Sequence, residues 1–382
     1  MNLGLDSEQL ELRTQVIEFA RRSLDRASAN GSEQFRRELW QECADFGILG
    51  LPVPHEYGGG EMGLLPTIVA MEALGYACRD HGLLFSMHAH MWAVVTPLLA
   101  FGTEEQKRQW LPGLIDGSLI GAHAMSEPDS GSDAFGLRTR AVRDGDSYVL
   151  DGTKTFVTNA PIADLTLVFA TVARERGMWG LTAFMVERTT PGLSVSAPFR
   201  KLGLKSSPMA EVILENCRVP VASRIGAEGQ GATVFNHSMG WERGCILGSQ
   251  VGRMEAQLEA CIAYARERRQ FGKPIGNFQL IAAKLADMRV RFETSRLILY
   301  RAAAQLADGG DDAGYSAMAK LHISEAAVQS ALDAVQIHGG YGYMDEYSAE
   351  RELRDAIGGQ LYSGTSEILR LLIARQLGFS PS

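Results

Sequence analysis

"SYVLDGTKTFVT", residues 147–158, lies in the middle of a chain that otherwise reads as helix, and its reading decides the fold. Two apolar runs flank Asp151–Gly152, a dipeptide that favours a tight two-residue turn, so a β-hairpin is expected there. Four more short runs follow: "LTLVFATV" (165–172), "LTAFMVE" (181–187), "LSVSA" (193–197) and "EVILENCRVP" (211–220). Each is bounded by Gly, Pro or polar residues, the pattern of a small antiparallel sheet or barrel.

On either side the pattern is helical. In "SEQLELRTQVIEFARRSL" (7–24), Leu10, Leu12, Val16 and Phe19 form a stripe, and Ser7 is an imperfect cap with Glu8 and Glu11 in the first turn. "LPVPHEYGGGEMG" (51–63) is a Pro/Gly loop, and "GTEEQKRQWLPGLIDG" (102–117) is a charged helix expected to stop at Pro112. From about residue 228 helices return. Ile281, Leu285, Met288, Phe292, Ser295 and Leu299 step by fours and threes as a bundle seam, and 315–337 has a similar apolar face. The order is helical domain, β domain, helical bundle. A chain of 382 residues is long enough for two or three such units.

The composition narrows the function classes. Apolar residues make up 46% and charged residues 21%, ordinary for a globular protein. The net charge is −8 with no basic stripe, which argues against nucleic acid. Cys43, Cys78, Cys217, Cys245 and Cys261 are odd in number and contain no CxxC, so neither a disulfide framework nor zinc is expected. His88 and His90 are a weak metal signal better read as packed histidines, and no metal is expected. "MNLGLDSEQLELRTQ" is not a leader, and no run of about 18 apolar residues suggests a membrane span. The cytoplasm is the expected compartment.

Four segments could carry chemistry, each with a purely structural alternative. "MSEPDSGSD" (125–133) offers hydroxyls and N–H groups to a ligand, or is a plain turn. "HGGYGY" (338–343) allows close backbone approach, or ends a helix. "SGTSEILR" (363–370) begins a helix near Glu367, an anion site or merely a capped end. "SMGWERGC" (238–245) places Glu242 in apolar company, where a carboxylate has a raised pKa and can act as a base, or it is a surface Glu beside Arg243.

The order of these segments carries more than any one of them. "GTEEQKRQWLPGL", "SEPDSGSD", "LDGTKTFVTNAPIAD", "ARERRQFGKPIGNFQ", "DAVQIHGGYGY" and "YSGTSEILRLLIAR" resemble the successive signature segments of acyl-CoA dehydrogenases, over about residues 5–378. The resemblance implies a mainly α fold with a central β domain: an N-terminal helical domain (1–119), a β barrel (120–227) and a C-terminal four-helix bundle (228–382). It implies FAD, with Met125 and Ser126 by the flavin pyrimidine and Phe156, Val157 and Thr158 by the dimethylbenzene side. Phe156 stands where the family commonly has Trp. It further implies Arg268, Phe271 and Gln279 at the pyrophosphate and adenine, and more contacts from Gln336, Gly339 and Gly340 and from Thr365, Ser366 and Glu367. A cofactor reaching a neighbouring subunit implies a homodimer or homotetramer.

In the family a carboxylate removes the substrate α proton and FAD accepts a hydride from the β atom. Most members keep that carboxylate just before "GTS", where this chain has Ser363. A subgroup that includes isovaleryl-CoA dehydrogenases places a Glu before an Arg in the bundle, which Glu242–Arg243 match. The resemblance therefore implies Glu242 as the base, with Ser132, Trp241, Arg243, Ser363 and Gly364 around the substrate. "SMGWERGC", "NAPIAD" and "SGTS" are similar to dehydrogenases acting on prolyl groups tethered to carrier proteins in natural-product pathways. Gly240 replaces an Asp frequent in CoA-using members, a departure in the same direction. Three readings follow: a carrier-protein aminoacyl or acyl dehydrogenase, an isovaleryl-like acyl-CoA dehydrogenase, or a flavin hydroxylase or inactive relative of the same fold. The electron acceptor is electron-transfer flavoprotein or oxygen.

Overall fold

A computed structural model describes residues 4–24, 33–309 and 313–379. Helices come first: α1 (Ser7–Phe19), α2 (Arg37–Asp45), α3 (Leu64–Ala77), α4 (His81–His90), α5 (Thr96–Phe101) and α6 (Glu104–Ile115). Strands follow: β1 (Gly121–Ala124), β2 (Arg140–Asp144), β3 (Ser147–Thr158), β4 (Leu165–Thr171), β5 (Leu181–Glu187), β6 (Leu193–Val195), β7 (Met209–Pro220) and β8 (Arg224–Ile225). Helices then resume with α7 (Gly231–Cys245), α8 (Gly248–Glu267), α9 (Gln279–Ala307), α10 (Ala313–His338), α11 (Ala349–Ile357) and α12 (Ser366–Gln376). A short ribbon of β9 (Arg269–Gln270) and β10 (Lys273–Pro274) links α8 to α9.

The strands form one eight-stranded sheet in the order β6-β7-β3-β2-β4-β5-β8, with β1 added parallel to β4. Residues from β1 to β7 share an inner core that includes Ala122, Ala141, Leu150, Val168, Phe184 and Val212, the barrel-like arrangement expected. Alternate residues of β4, Leu165, Leu167 and Phe169, pack outward with Phe235 and Met239 of α7. Both faces of β4 are therefore covered, which is why it reads as an unbroken apolar run.

Three local expectations are corrected. The chain does not turn at Asp151–Gly152, since β3 runs through it. The two-residue turn is Gly145–Asp146, between the paired Asp144 and Ser147. At Asp151–Gly152 the register with β7 slips, Asp151 Oδ1 accepts the Asn216 N–H at 2.8 Å, and Gly152 has φ 150°. A Cβ there would meet Thr139 Oγ1 at 2.4 Å, so the dipeptide marks a β-bulge. Helix α6 continues through Pro112, because burying Leu111, Leu114 and Ile115 outweighs the one hydrogen bond that Pro removes. The α1 capping box is set one residue earlier than Ser7: Asp6 caps Gln9 N–H and Gln9 returns the bond to Asp6 N–H.

One helical stretch, His81–Phe101, is long and apolar enough to cross a membrane, with mean hydropathy 1.4, contrary to the sequence reading. Its most apolar 18-residue window has 83% of its residues buried within the protein, as in the core helix of a soluble protein. Of the bundle seam on α9, Met288, Phe292, Ser295 and Leu299 are buried as expected, while Ile281 and Leu285 are half-buried. Glu72 of α3, itself buried, accepts from Arg296 Nε at 2.8 Å and Tyr300 Oη at 2.8 Å, tying the N-terminal helices to α9.

Candidate active site

On α7 the buried residues Phe235, Ser238, Met239, Glu242 and Cys245 recur at steps of three and four. Glu242 thus occupies the apolar stripe of its helix and is only 9% exposed. Ser363 lies between α11 and α12 in a left-handed turn, with φ 56° followed by φ 99° at Gly364. That turn faces α7, and the Ser363 hydroxyl donates to Glu242 Oε1. Burial lifts the Glu242 carboxyl above its ordinary range, against the Ser363 bond and the charges of Arg243 and Lys320. A desolvated carboxylate oriented by one hydroxyl can accept a proton from carbon.

Arg243 makes no ion pair with Glu242. Adjacent helix residues diverge by about 100°, and Arg243 Nε instead donates to the Ser363 carbonyl at 2.9 Å. Trp241 stacks on Trp92 with centroids 6.3 Å apart and 19° between planes. Trp92 Nε1 donates to His88 Nδ1 at 2.8 Å, and His88 Nε2 lies 3.0 Å from Ser249 Oγ. His90 is held by the Leu114 carbonyl and the Gly121 N–H. Both histidines are thus packed and bonded as internal residues. Burial pushes them down to about 3 and about 4, so both are neutral at pH 7.

A second cluster holds the 125–133 loop against β3. Lys154 is fully buried, and its Nζ donates to Glu127 Oε1 at 2.8 Å and the Met125 carbonyl at 3.1 Å. Glu127 also accepts the N–H groups of Arg138 and Thr139. Burial brings Lys154 down to about 8, against the pull of Glu127. The ladder slips again between Lys154 and Val157, and Phe156 takes φ 55° with its ring 66% exposed beside Phe199. A bulky residue in that conformation is strained, and such strain gathers at functional positions. Val157 is buried, Ser126 accepts the Thr155 N–H at its carbonyl, and Ser132 is exposed.

A third place is a cavity of about 500 Å³ lined by Tyr264, Arg268, Gln270, His338, Gly339 and Tyr341 among others. Arg268 sits over the Tyr341 ring at 5.5 Å. Nothing lies within 4 Å of a Cβ built on Gly339 or Gly340. Phe271 and Gln279, expected with Arg268, and Gln336, expected with Gly339 and Gly340, are exposed and do not line this cavity within one chain. Phe271 projects from the β9–β10 turn at 92% exposure. At the start of α12, Thr365 caps the Ile368 N–H, Glu367 is exposed, and Ser366 Oγ is buried without a partner. These features fit FAD: a cation and open glycines for phosphate and adenine, a strained exposed aromatic for a ring, and an orphaned hydroxyl at a helix N-terminus.

The sequence reading missed Lys154, Glu127 and Lys320. Lys320 is fully buried on α10, with Nζ donating to the Gly364 carbonyl at 2.6 Å. The available signal was position: Lys320 falls three residues from both Ala317 and Ile323 on the buried stripe of its helix.

Models of the acyl-CoA dehydrogenase N-terminal, middle and C-terminal domains match residues 6–118, 122–217 and 229–378. The L-prolyl-(peptidyl-carrier protein) dehydrogenase of Pseudomonas fluorescens is 43% identical over 378 residues, 99% of this chain and 100% of that protein. Among solved structures, the prolyl acyl carrier protein oxidase AnaB superimposes with TM-score 0.96 at 49% identity, over 98% of this chain and 100% of that one. PigA, solved with FAD and proline, superimposes with TM-score 0.96 at 40% identity, over 99% of each chain.

Proposed function

The chain belongs to the acyl-CoA dehydrogenase family, and we propose that it oxidises a prolyl or similar aminoacyl group held as a thioester on a carrier protein, with FAD as cofactor and Glu242 as base. It is an FAD-dependent oxidoreductase. The full-length likeness to prolyl-carrier-protein enzymes supports the substrate class. The observation that most supports the site is the contact between Ser363 and Glu242. The residue at the family's usual base position here serves a carboxylate at the alternative one.

The thioester carbonyl acidifies the α C–H, yet that bond remains a weak acid. A base for it must be close, ionised and poorly solvated. Glu242 on its apolar stripe meets the last condition, and the Ser363 hydroxyl holds one carboxylate oxygen so that the other is free to face substrate. Trp241, the neighbour of Glu242 on α7, is stacked on Trp92 and adds apolar cover to this end of the helix. FAD, when bound, supplies the acceptor for the β hydride. Met125, Ser126, Phe156, Val157 and Thr158 would hold its ring. Arg268, Gly339 and Gly340, with Phe271, Gln279 and Gln336, would hold the far end, and Thr365 to Glu367 the middle. Loss of the α proton and β hydride leaves a double bond; in a prolyl ring a second two-electron oxidation at other ring atoms, after reoxidation of the flavin, would give a pyrrole.

In this reading residues 1–119, 120–227 and 228–382 act as three domains. The exposed Phe271 and the apolar Leu280, Val290 and Leu297 of α9 are surfaces that a homodimer or homotetramer would cover. Reoxidation falls to electron-transfer flavoprotein or oxygen. The five cysteines, none of them in a disulfide, suit a reducing compartment, the cytoplasm.

The test offers the FAD-loaded enzyme prolyl-carrier protein and, separately, prolyl-CoA and isovaleryl-CoA, and follows flavin bleaching and product mass. Bleaching by the carrier thioester with loss of hydrogen from the prolyl group is expected. Faster bleaching by isovaleryl-CoA would overturn the substrate class, and equal kcat/KM on the two prolyl thioesters would count against a dedicated carrier enzyme.

A further inference from the structure

Lys320 carries a charge into the protein interior for which the proposed chemistry has no direct use. A buried ammonium is costly unless its donors are taken up. The charged and titratable groups facing it are Glu242 and Arg243 from α7 and Glu367 from α12, with the Tyr362 ring centroid 5.6 Å from its Nζ. Its hydrogen bond goes to none of these. It goes to the Gly364 carbonyl, at 2.6 Å.

That carbonyl belongs to the turn beside the base. Ser363 and Gly364 are both left-handed, a run that an L-residue such as serine resists without support. Two cations from different helices take its two consecutive carbonyls: Arg243 Nε that of Ser363 at 2.9 Å, and Lys320 Nζ that of Gly364. Charge-assisted bonds of this kind are stronger than neutral ones. Between the two clamped carbonyls and the Thr365 cap of α12, the turn has little freedom, and its one free side chain points at Glu242.

We propose that Lys320 is a positioning residue for the base: by holding the Gly364 carbonyl it keeps the 363–364 turn folded against α7, so that the Ser363 hydroxyl stays on the Glu242 carboxylate. This rests on Glu242 being the base. A second effect follows from charge. Burial raises Glu242, while Ser363, Arg243 and Lys320 each favour its ionised form. Lys320 is brought down to about 7, by burial first and Arg243 next, against Glu242 and Glu367, so it is charged on the acid side of neutrality. Lys320→Met removes both the donor and the cation. Glu242 then keeps its proton to higher pH, and the acid limb of the reaction moves up.

The experiment uses the full-length FAD-loaded enzyme and prolyl-carrier protein, with anaerobic stopped-flow bleaching followed across neutral pH. Lys320→Met is expected to raise the acid limb by about one pH unit, so that below the wild-type limb the rate is roughly tenfold slower while the rate above the shifted limb changes little. Lys320→Arg, which keeps cation and donor, should restore the wild-type limb. Lys320→Gln keeps a donor without charge, and its limb should also rise. An unmoved limb in Lys320→Met, even with lower thermal stability or FAD content, would reduce Lys320 to a structural role and overturn the proposal. If Lys320→Met yields no folded holoenzyme, an unmoved limb in Lys320→Gln does the same. Glu242→Gln in parallel separates the two ideas. Normal bleaching there removes the base assignment, whereas a dead Glu242→Gln beside an unmoved lysine variant removes only the role of Lys320.

Discussion

Replacing Lys154 with Met strands a carboxylate in the wall of the proposed flavin site. Lys154 is fully buried and donates to Glu127 Oε1 at 2.8 Å and the Met125 carbonyl at 3.1 Å. Methionine fills similar volume without a donor. Breaking a buried ion pair from one side costs about 3–5 kcal/mol. Glu127 keeps two backbone donors, Arg138 N–H at 2.6 Å and Thr139 N–H at 2.8 Å. The loss should therefore fall near the lower end, about 3 kcal/mol, a large share of the roughly 5–15 kcal/mol that holds a typical protein folded. Because the pair joins the 125–127 loop to residues 154–158, FAD retention should fall together with stability. Adding Glu127→Gln removes the stranded charge and should return at least about 1 kcal/mol. Flavin-fluorescence melting and the FAD-to-protein ratio after gel filtration measure both effects. Wild-type melting and full FAD content in Lys154→Met would show that the pair supports neither loop nor cofactor.

Three further outcomes are expected. Arg268→Ala removes one charge-assisted contact to phosphate and should weaken FAD binding by about 1.5–3 kcal/mol, roughly 10- to 150-fold in Kd. Titration of the apoprotein with FAD measures it, and an unchanged Kd would place the phosphates elsewhere. Ser363→Ala deletes a single hydrogen bond and should slow flavin reduction about tenfold or less, so a loss of several decades in single-turnover kinetics would make Ser363 part of the chemistry. The wild-type rate should rise with pH, since the base works only when ionised, and burial places its limb above the ordinary carboxylate range. A limb at the usual glutamate value would mean that Glu242 is better solvated than its burial indicates.

The helix–sheet–helix order was legible because hydrophobic periodicity changes from about 3.6 to 2 and back, and burial obeys that period. The pattern around Glu242 fitted either a base or a surface Glu, the family resemblance selected the base, and α7 places the residue on its buried stripe. Turn chemistry misled, because Asp-Gly suits a bulge as well as a turn. Asp144–Gly145 leads into the turn, whereas Asp151–Gly152 is crossed by the strand. Pro112 misled because local propensity was outweighed by the burial of its neighbours. The role of Ser363 was illegible because its partner lies 121 residues away in the chain, across a turn whose left-handed geometry no local pattern announces. In the sequence Lys154 and Lys320 look like ordinary charges, since only tertiary packing shows that each is enclosed. Phe271 and Gln279 do not join Arg268 within one chain, nor does Gln336 join Gly339 and Gly340 in the cavity, because all three face outward.

The central claim is that Glu242 takes the α proton, and anaerobic stopped-flow reduction of the flavin in Glu242→Gln by prolyl-carrier protein tests it most directly. Glutamine keeps the shape and can still accept the Ser363 hydroxyl bond, so FAD and substrate should bind as in the wild type. Flavin reduction should fall by about three to four decades, a barrier increase on the order of 4–6 kcal/mol. Reduction at close to the wild-type rate would contradict the account, because proton abstraction would then belong to a group other than the buried carboxylate of α7.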